Sequence, residues 1–221
     1  MLHFFTDPYE DELMSSVFAR YHFYSDNIDK NDTIEELQGE RNITAFRVFP
    51  SRLKFLEGNL NNNYTADNLI YKNTIFPVYS VFLSRDKHTD IINHMKYKET
   101  DKIYNVLGIS TSKVDVRKNF RYCPLCAQSE KELYGEAYFH VIHQVPGVLV
   151  CEKHECRLFD YIDEYKSEIE FIRLEYDNIR FKKATFYEKK INDVLFQIAI
   201  SVKYIKNLEY LKYNREFILE K

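Results

Sequence analysis

Tryptophan is absent from the 221 residues, and glycine and proline are scarce at five each. The glycines are scattered, which excludes the closely spaced glycine loops that cradle phosphates or dinucleotides ahead of a helix. No internal repeat or low-complexity tract is present. Charge of one sign is also missing: 31 Lys and Arg against 34 Asp and Glu give a net charge of −3. A whole-chain basic field for nucleic acid is therefore excluded, and any DNA contact has to come from a local patch. No apolar run approaches the roughly 20 residues that span a bilayer. The opening Met1-Leu-His-Phe-Phe passes at once to Thr6-Asp-Pro-Tyr-Glu-Asp-Glu12, so no signal peptide is expected. A cytoplasmic, reducing setting is the expectation, one in which thiols serve as ligands rather than as disulfides, with no membrane partner. Carboxylates are many, but none forms a triad with a plausible nucleophile.

What is present is core material. Hydrophobic residues make up 45% and charged residues 29%, the balance of a globular chain. The 18 Tyr and 17 Phe bury large rings, and Tyr does so while keeping its hydroxyl wet. The length allows one or two domains.

The four cysteines lie together. Cys123-Pro-Leu-Cys126 and Cys151-Glu-Lys-His154 are two short pairs, each with two residues between its members, separated by 24 residues. Each pair turns tightly enough for two donors to reach one ion, and the intervening segment lets the second fold back onto the first. Cys123, Cys126, Cys151 and His154 thus read as one structural Zn2+ site. Cys156 is the competing fourth ligand, or else a spare buried thiol. Unrelated buried thiols are the bland alternative. A redox Cys-x-x-Cys would need a strand-to-helix context, whereas Cys123 follows the polar, basic run 113–122. Four protein ligands leave no position for a metal-bound water, which argues against hydrolytic zinc chemistry. His140 and His143 read as packing or hydrogen-bonding groups.

The residues around these pairs carry a resemblance. Arg121-Tyr-Cys-Pro-Leu-Cys126, Tyr134-Gly-Glu-Ala-Tyr-Phe-His140 and His143-Gln-Val-Pro-Gly-Val-Leu-Val-Cys151-Glu-Lys-His154-Glu-Cys-Arg-Leu158 resemble the zinc-finger signature of the TnsD/TniQ family of transposition target-selection proteins. Pro8-Tyr-Glu-Asp-Glu-Leu-Met-Ser-Ser-Val-Phe-Ala-Arg20-Tyr-His22 resembles the family's opening helix, and Asn73-Thr-Ile-Phe-Pro-Val-Tyr79 with Phe82 its middle block. The blocks span residues 8–158 in the right order and look closer to the TnsD branch than to the shorter TniQ proteins. The resemblance implies a non-enzymatic adaptor that recognises double-stranded target DNA and recruits the AAA+ regulator TnsC, with transposase subunits or an RNA-guided complex as further partners. Such a protein would be cytoplasmic and associated with the nucleoid when bound to DNA. From other classes, a zinc-dependent nuclease or hydrolase of a mobile element and a stand-alone zinc-containing transcription regulator stay open.

In chain order, Asp7 as cap, Pro8 in the first turn and Glu10 three past the cap predict a helix from Pro8 to Tyr24, with Leu13, Val17, Tyr21 and Tyr24 on one face. Arg20 and His22 lie off that stripe, as solvated residues or partner contacts. Asp32 and Glu35 mark a second helix; Pro50-Ser51 begins a third through Leu53, Leu56 and Leu60, ending at residues 61–63; Thr65 caps a fourth. These read as a helix-turn-helix-like cluster or as an ordinary all-α core. Pro77 predicts a bend, and Arg85 to Tyr97 a helix with Ile91, Ile92 and Met95 inward. A short helix from Asp101 would stop at Gly108. Lys113, Arg117, Lys118 and Arg121, four cations in nine residues, are the local candidate for phosphate contact, against a solvated loop diluted by Asp115. Val148 to Val150 reads as a strand delivering Cys151, and residues 159–182 as strand or helix. Ile191, Val194, Leu195, Ile198, Val202 and Ile205 make an amphipathic helix, followed by another short one after Asn214. The expected architecture is mainly α with a small α+β zinc-finger module: helical residues 1–110, the zinc module 111–160, and an extension 161–221.

Overall fold

Val17 and Tyr21 do share one buried face with Leu13, but the helix, α1, runs only from Met14 to Tyr24 with Leu13 as its N-cap, and Tyr24 is exposed. The capping signal at Asp7 is overridden by tertiary pairing. Glu12 forms an antiparallel bridge with His140, the Leu13 amide donates to the Phe139 carbonyl at 2.8 Å, and Asp11 sits at φ 58°. Residues 7–13 are thus drawn out as a strap whose backbone groups are satisfied by a distant segment, and their local helix preference loses.

The computed structural model describes residues 2–41, 48–60, 64–97, 101–107, 119–161, 171–175 and 184–219. Helix α2 spans Lys30–Gln38; its cap is Asp29, which accepts from the Asn31 amide, and Asp32 falls in the first turn. It stops at Gly39 in the left-handed region (φ 77°), where a Cβ would stand 2.6 Å from the Phe55 ring, so only glycine fits this turn. Helix α3 is Leu53–Asn59, with Leu53 and Leu56 buried. Helix α4 is Ala66–Asn73, capped as predicted by Thr65, whose hydroxyl accepts from the Asn68 amide at 3.1 Å. Pro77 does not bend the chain out of helix; it occupies the first turn of a short α5, Phe76–Ser80, where its missing N–H costs nothing. Helix α6, Arg85–Tyr97, has the predicted bounds and buries Ile91 and Met95. Helix α7 covers Asp101–Val106; the expected stop at Gly108 lies outside the described residues, as does the turn at 61–63.

Among the described residues the fold is mostly helical with one small sheet. Strand β1, Arg121–Tyr122, pairs antiparallel with β2, Phe159–Asp160, in the register Arg121 to Asp160 and Tyr122 to Phe159. Helix α8, Pro124–Tyr134, and the short α9, Val141–Gln144, lie between them in sequence. Val150 makes only an isolated bridge, to Arg157, rather than belonging to a strand. Of the ambiguous stretch 159–182, residues 159–160 form β2, residues 171–175 are neither helix nor strand, and 162–170 and 176–183 lie outside the described residues. The predicted last helix and the expected short one after it are a single helix, α10, Lys189–Leu219. One apolar cluster joins Leu13, Leu53, Ile70, Phe76, Phe139 and Ala199, so α1, α3, α4, α5, the segment before α9, and α10 share a core. No described helix is long and apolar enough to cross a membrane.

Polar clasps tie distant segments into this core. Lys206 of α10 is buried, and its Nζ donates to the Asp11 carboxylate and, at 2.7 Å, to the Lys72 carbonyl. Asp11 also takes the amides of Val141, through its carbonyl at 2.7 Å, and of Ile142, through its carboxylate at 3.1 Å. Burial pushes the Asp11 carboxyl up, but Lys206 and His140 override it and hold it well below the usual carboxylate range. Lys206→Met is therefore expected to lower unfolding free energy by about 2 kcal/mol, because it removes a charged hydrogen bond and strands a carboxylate. Urea denaturation checks it; an unchanged midpoint would show that the clasp contributes nothing.

Candidate metal centre

The residues just after Cys123 start a helix, and this fixes the first pair of donors. Cys123 is the N-cap of α8, with Pro124 in the first turn, and its Sγ accepts from the Cys126 amide at 3.4 Å. A thiolate at a helix N-terminus is favoured by the amide dipoles there. The second pair sits on a tight loop: the Glu155 amide donates to the Cys151 carbonyl and the Cys151 amide to the Cys156 carbonyl, both at 2.9 Å. Glu155 at φ 56° closes the turn, and the Lys153 amide points at the Cys151 Sγ from 3.3 Å. The β1–β2 pairing, with the Tyr161 amide donating to the Phe120 carbonyl at 2.7 Å, holds the two loops face to face.

Cys123, Cys126, Cys151 and His154 converge, with their donor atoms within 4.8 Å of one another. The His154 Nδ1 lies 3.4, 3.3 and 3.6 Å from the Sγ atoms of Cys123, Cys126 and Cys151, and Cys126 and Cys151 are 3.6 Å apart. The three cysteines are buried and His154 is half-buried. Cys156 is buried beside them, its Sγ 3.3 Å from that of Cys123, but does not join the four-donor set. The cluster can hold a metal ion. Hydrogen bonds from the neighbouring thiols push the Cys123 thiol down, and bonding to Cys123 pushes the other three thiols up.

Around the knuckle lies a layer of buried acids and imidazoles that periodicity did not reveal. Glu130 on α8 bonds the His140 Nε2, and the His140 Nδ1 faces Asp11 at 3.6 Å. Burial lowers the His140 pKa, but Asp11 and Glu130 override it and raise it to about 9. His143 is fully buried, 3.5 Å from Glu152, and burial lowers its pKa. Burial pushes the Glu152 carboxyl up, but His143 and Lys203 bring it down to about 2. Two further donor groups, Cys126/Glu130/His140 and His143/Cys151/Glu152, each share a cysteine with the knuckle. These side chains therefore abut the ligands, as outer partners that orient a metal site do. His140 and His143 are thus buried packing and hydrogen-bonding groups, as their place beside a complete ligand set implied, while the sequence signal for Glu130 and Glu152 is only that they lie within four residues of Cys126 and Cys151.

Other sequence candidates fall elsewhere. Arg121 is not free for phosphate: it is 3% exposed, its side chain donating to the Val148 carbonyl and, at 2.7 Å, to that of Val145. Buried carbonyls need that fork, and so the guanidinium points inward. Lys113, Arg117 and Lys118 lie outside the described residues. Arg20 is not an exposed docking residue. It is 6% exposed and bridges Glu12 and Glu136, each at 2.8 Å, with its guanidinium 4.0 Å from the Tyr9 ring centroid. Burial would lower its pKa, yet the two carboxylates raise it. His22 is half-buried, its Nδ1 2.7 Å from the Thr33 hydroxyl and its ring 4.8 Å from that of Phe171. It lines an open groove of about 540 Å³ shared with Phe23, Asn27 and Arg173.

A largely helical body with a three-cysteine, one-histidine cluster that could hold a metal ion defines a mainly α protein with a candidate metal knuckle. The sequence model of the TniQ family matches residues 3–158. The transposon Tn7 transposition protein TnsD of Escherichia coli is 31% identical over 157 residues, which cover 70% of this chain and 31% of that relative. The chain belongs to the TniQ family. It matches less than a third of the length of the Tn7 protein, and α10 lies beyond residues 3–158 that the family model matches.

Proposed function

We infer that the chain is a zinc-stabilised, non-catalytic adaptor in transposition target selection, which binds double-stranded target DNA and recruits an AAA+ regulator of the TnsC type. The knuckle is the observation that supports it most. Zinc with Zn–S near 2.3 Å and Zn–N near 2.0 Å sets tetrahedral edges of about 3.5–3.8 Å, and the sulfur–nitrogen and sulfur–sulfur separations of 3.3–3.6 Å match that size. Cys123, Cys126, Cys151 and His154 would hold the ion, and Glu130, His140, His143 and Glu152 would orient and balance them. A set completed by protein leaves no position for a reacting water, which favours a scaffold over a hydrolase. In this reading residues 111–160 form the metal module between the helical residues 1–110 and the extension 161–221. The helices α1–α4, with the groove at His22, offer the face for the regulator. A pull-down of the full chain with the regulator ATPase, with and without target DNA, tests it. Retention of the ATPase that increases with DNA is expected, and no retention with nucleotide and DNA both supplied would end the adaptor reading.

With Arg121 turned inward, Lys113, Arg117 and Lys118 are the remaining candidates for binding phosphate. Neutralising all three is expected to flatten the salt dependence of duplex binding by roughly 0.9 for each phosphate no longer neutralised, with sequence preference unchanged. Equal slopes in wild type and triple variant would remove the patch.

A further inference from the structure

The loop that carries Cys151 and His154 is held from outside. Its backbone turns at Glu155, φ 56°, in the left-handed region that a residue with a Cβ enters only at a cost and keeps only where its surroundings over-determine it. Glu155 follows His154 directly, and its amide donates to the Cys151 carbonyl at 2.9 Å, so its conformation decides whether the two donors of this pair aim at one point. The side chain that fixes it belongs to α10. The Asn192 Nδ2 donates to the Glu155 carbonyl at 3.1 Å, while the Asn192 Oδ1 accepts from the Tyr187 amide at 3.3 Å. Asn192 is buried near the start of the helix, and its amide group has a partner on each side.

Two further ties take the same route. Just past Cys156, the Arg157 amide donates to the Thr185 carbonyl at 2.8 Å, and the Arg157 guanidinium lies 4.0 Å from the centroid of the Tyr187 ring. Just past Cys151, the buried Glu152 accepts from the Lys203 Nζ at 3.2 Å. All of these lead from the donor loop into residues 185–203, past the stretch 3–158 that the family model matches. We propose, on the metal-site reading above, that Asn192 is a positioning residue of the metal centre: by holding Glu155 in the turn it keeps the Cys151 and His154 donors aimed at one ion, and metal affinity is thereby coupled to the seating of α10. Two donors within one four-residue stretch can reach an ion unaided. What α10 supplies is a loop already in the binding conformation, so that less freedom is lost on binding. Groups behind metal ligands act in this way, and losing one weakens metal binding roughly 10- to 100-fold. Coupling is reciprocal, so the factor by which a seated α10 tightens binding is also the factor by which the ion favours the seated helix.

Competition of the full chain against a chromogenic chelator, with zinc alone as the probe, is expected to show Asn192→Leu binding roughly 10- to 100-fold more weakly than wild type, while circular dichroism gives the same helical content. Equal affinities in the two proteins would overturn the proposal; no zinc binding by the wild type would instead end the metal-site reading on which it stands. Hydrogen exchange of the wild type decides even where the variant folds poorly. In zinc-buffered solution above saturation, amides whose opening releases the ion exchange about tenfold more slowly for each tenfold rise in free zinc. The first turns of α10 are expected to follow the loop 151–157 in that dependence. Zinc-independent exchange in α10 beside zinc-dependent exchange in the loop would overturn the coupling.

Discussion

Cys123→Ser is expected to release the metal and unfold the region from Arg121 to Leu158. Cys123 has two roles: its Sγ is one corner of the four-donor set, and as N-cap of α8 it receives the Cys126 amide. Structural zinc contributes apparent binding free energy on the order of 10 kcal/mol near neutral pH, and that energy is folding energy where the site does not exist in the unfolded chain. A loss of that size exceeds the stability of most domains. The same sheet pair and loops position Phe139 and Val148, which are fully buried in the shared core, so damage should spread to α1 and α10. Elemental analysis of gently purified protein should give one zinc per wild-type chain and none for the variant. Cys156→Ser should keep its zinc and most of its stability, because Cys156 stands outside the four-donor set. The reverse pattern would make Cys156 a ligand in place of His154.

Arg20→Ala is the substitution outside the knuckle with the largest expected cost, about 3–5 kcal/mol. Removing one partner of a buried ion pair leaves the other charges uncompensated. Here the stranded groups are Glu12, which is fully buried, and Glu136, which is 10% exposed at its side chain. Burial pushes the Glu12 carboxyl up, to about 7, even against the pull of Arg20. Without the guanidinium that push is unopposed, so in the variant Glu12 binds its proton more tightly folded than unfolded. A raised folded-state pKa means stability lost as pH rises through it and regained as pH falls toward the unfolded carboxyl value. The variant should therefore gain stability between pH 7 and pH 5. Denaturation midpoints across that range check it; a variant as stable as wild type at pH 7 would show that the pairs are individually dispensable.

The same residue shows what a linear reading can and cannot see. Arg20 lies off the apolar stripe of α1, and amphipathic spacing places such a residue in solvent. Its partner Glu136 is 116 residues away, and no local pattern registers that pairing. Arg121 misleads in the same way, as a cation in a basic run that turns inward to carbonyls more than 20 residues on. By contrast, Cys123/Cys126 and Cys151/His154 were legible because chelation by short loops is a local property: the loop geometry that brings two donors to one point is encoded within four residues. Helices α4 and α6 were legible for a related reason, since Thr65 and the apolar spacing of α6 act within a turn or two. The start of α1 was not, because strap residues with good helix-start chemistry pair instead with the segment before α9.

The clasp between Lys206 and Asp11 joins positions 195 residues apart. Ribosomes add roughly 5–20 residues per second, so the strap emerges on the order of 10–40 s before the lysine that fastens it. During that interval Asp11 stays a hydrated carboxylate, and the apolar surface that α10 will cover, including Tyr71 and Phe76, stays open to chaperones and to neighbouring chains. Joining such distant positions carries a loop-closure cost that precedes any gain from the pairing. Docking of α10 is thus expected to be a late step, and nascent chains stalled before Lys206 are expected to be more protease-sensitive than those extended beyond it.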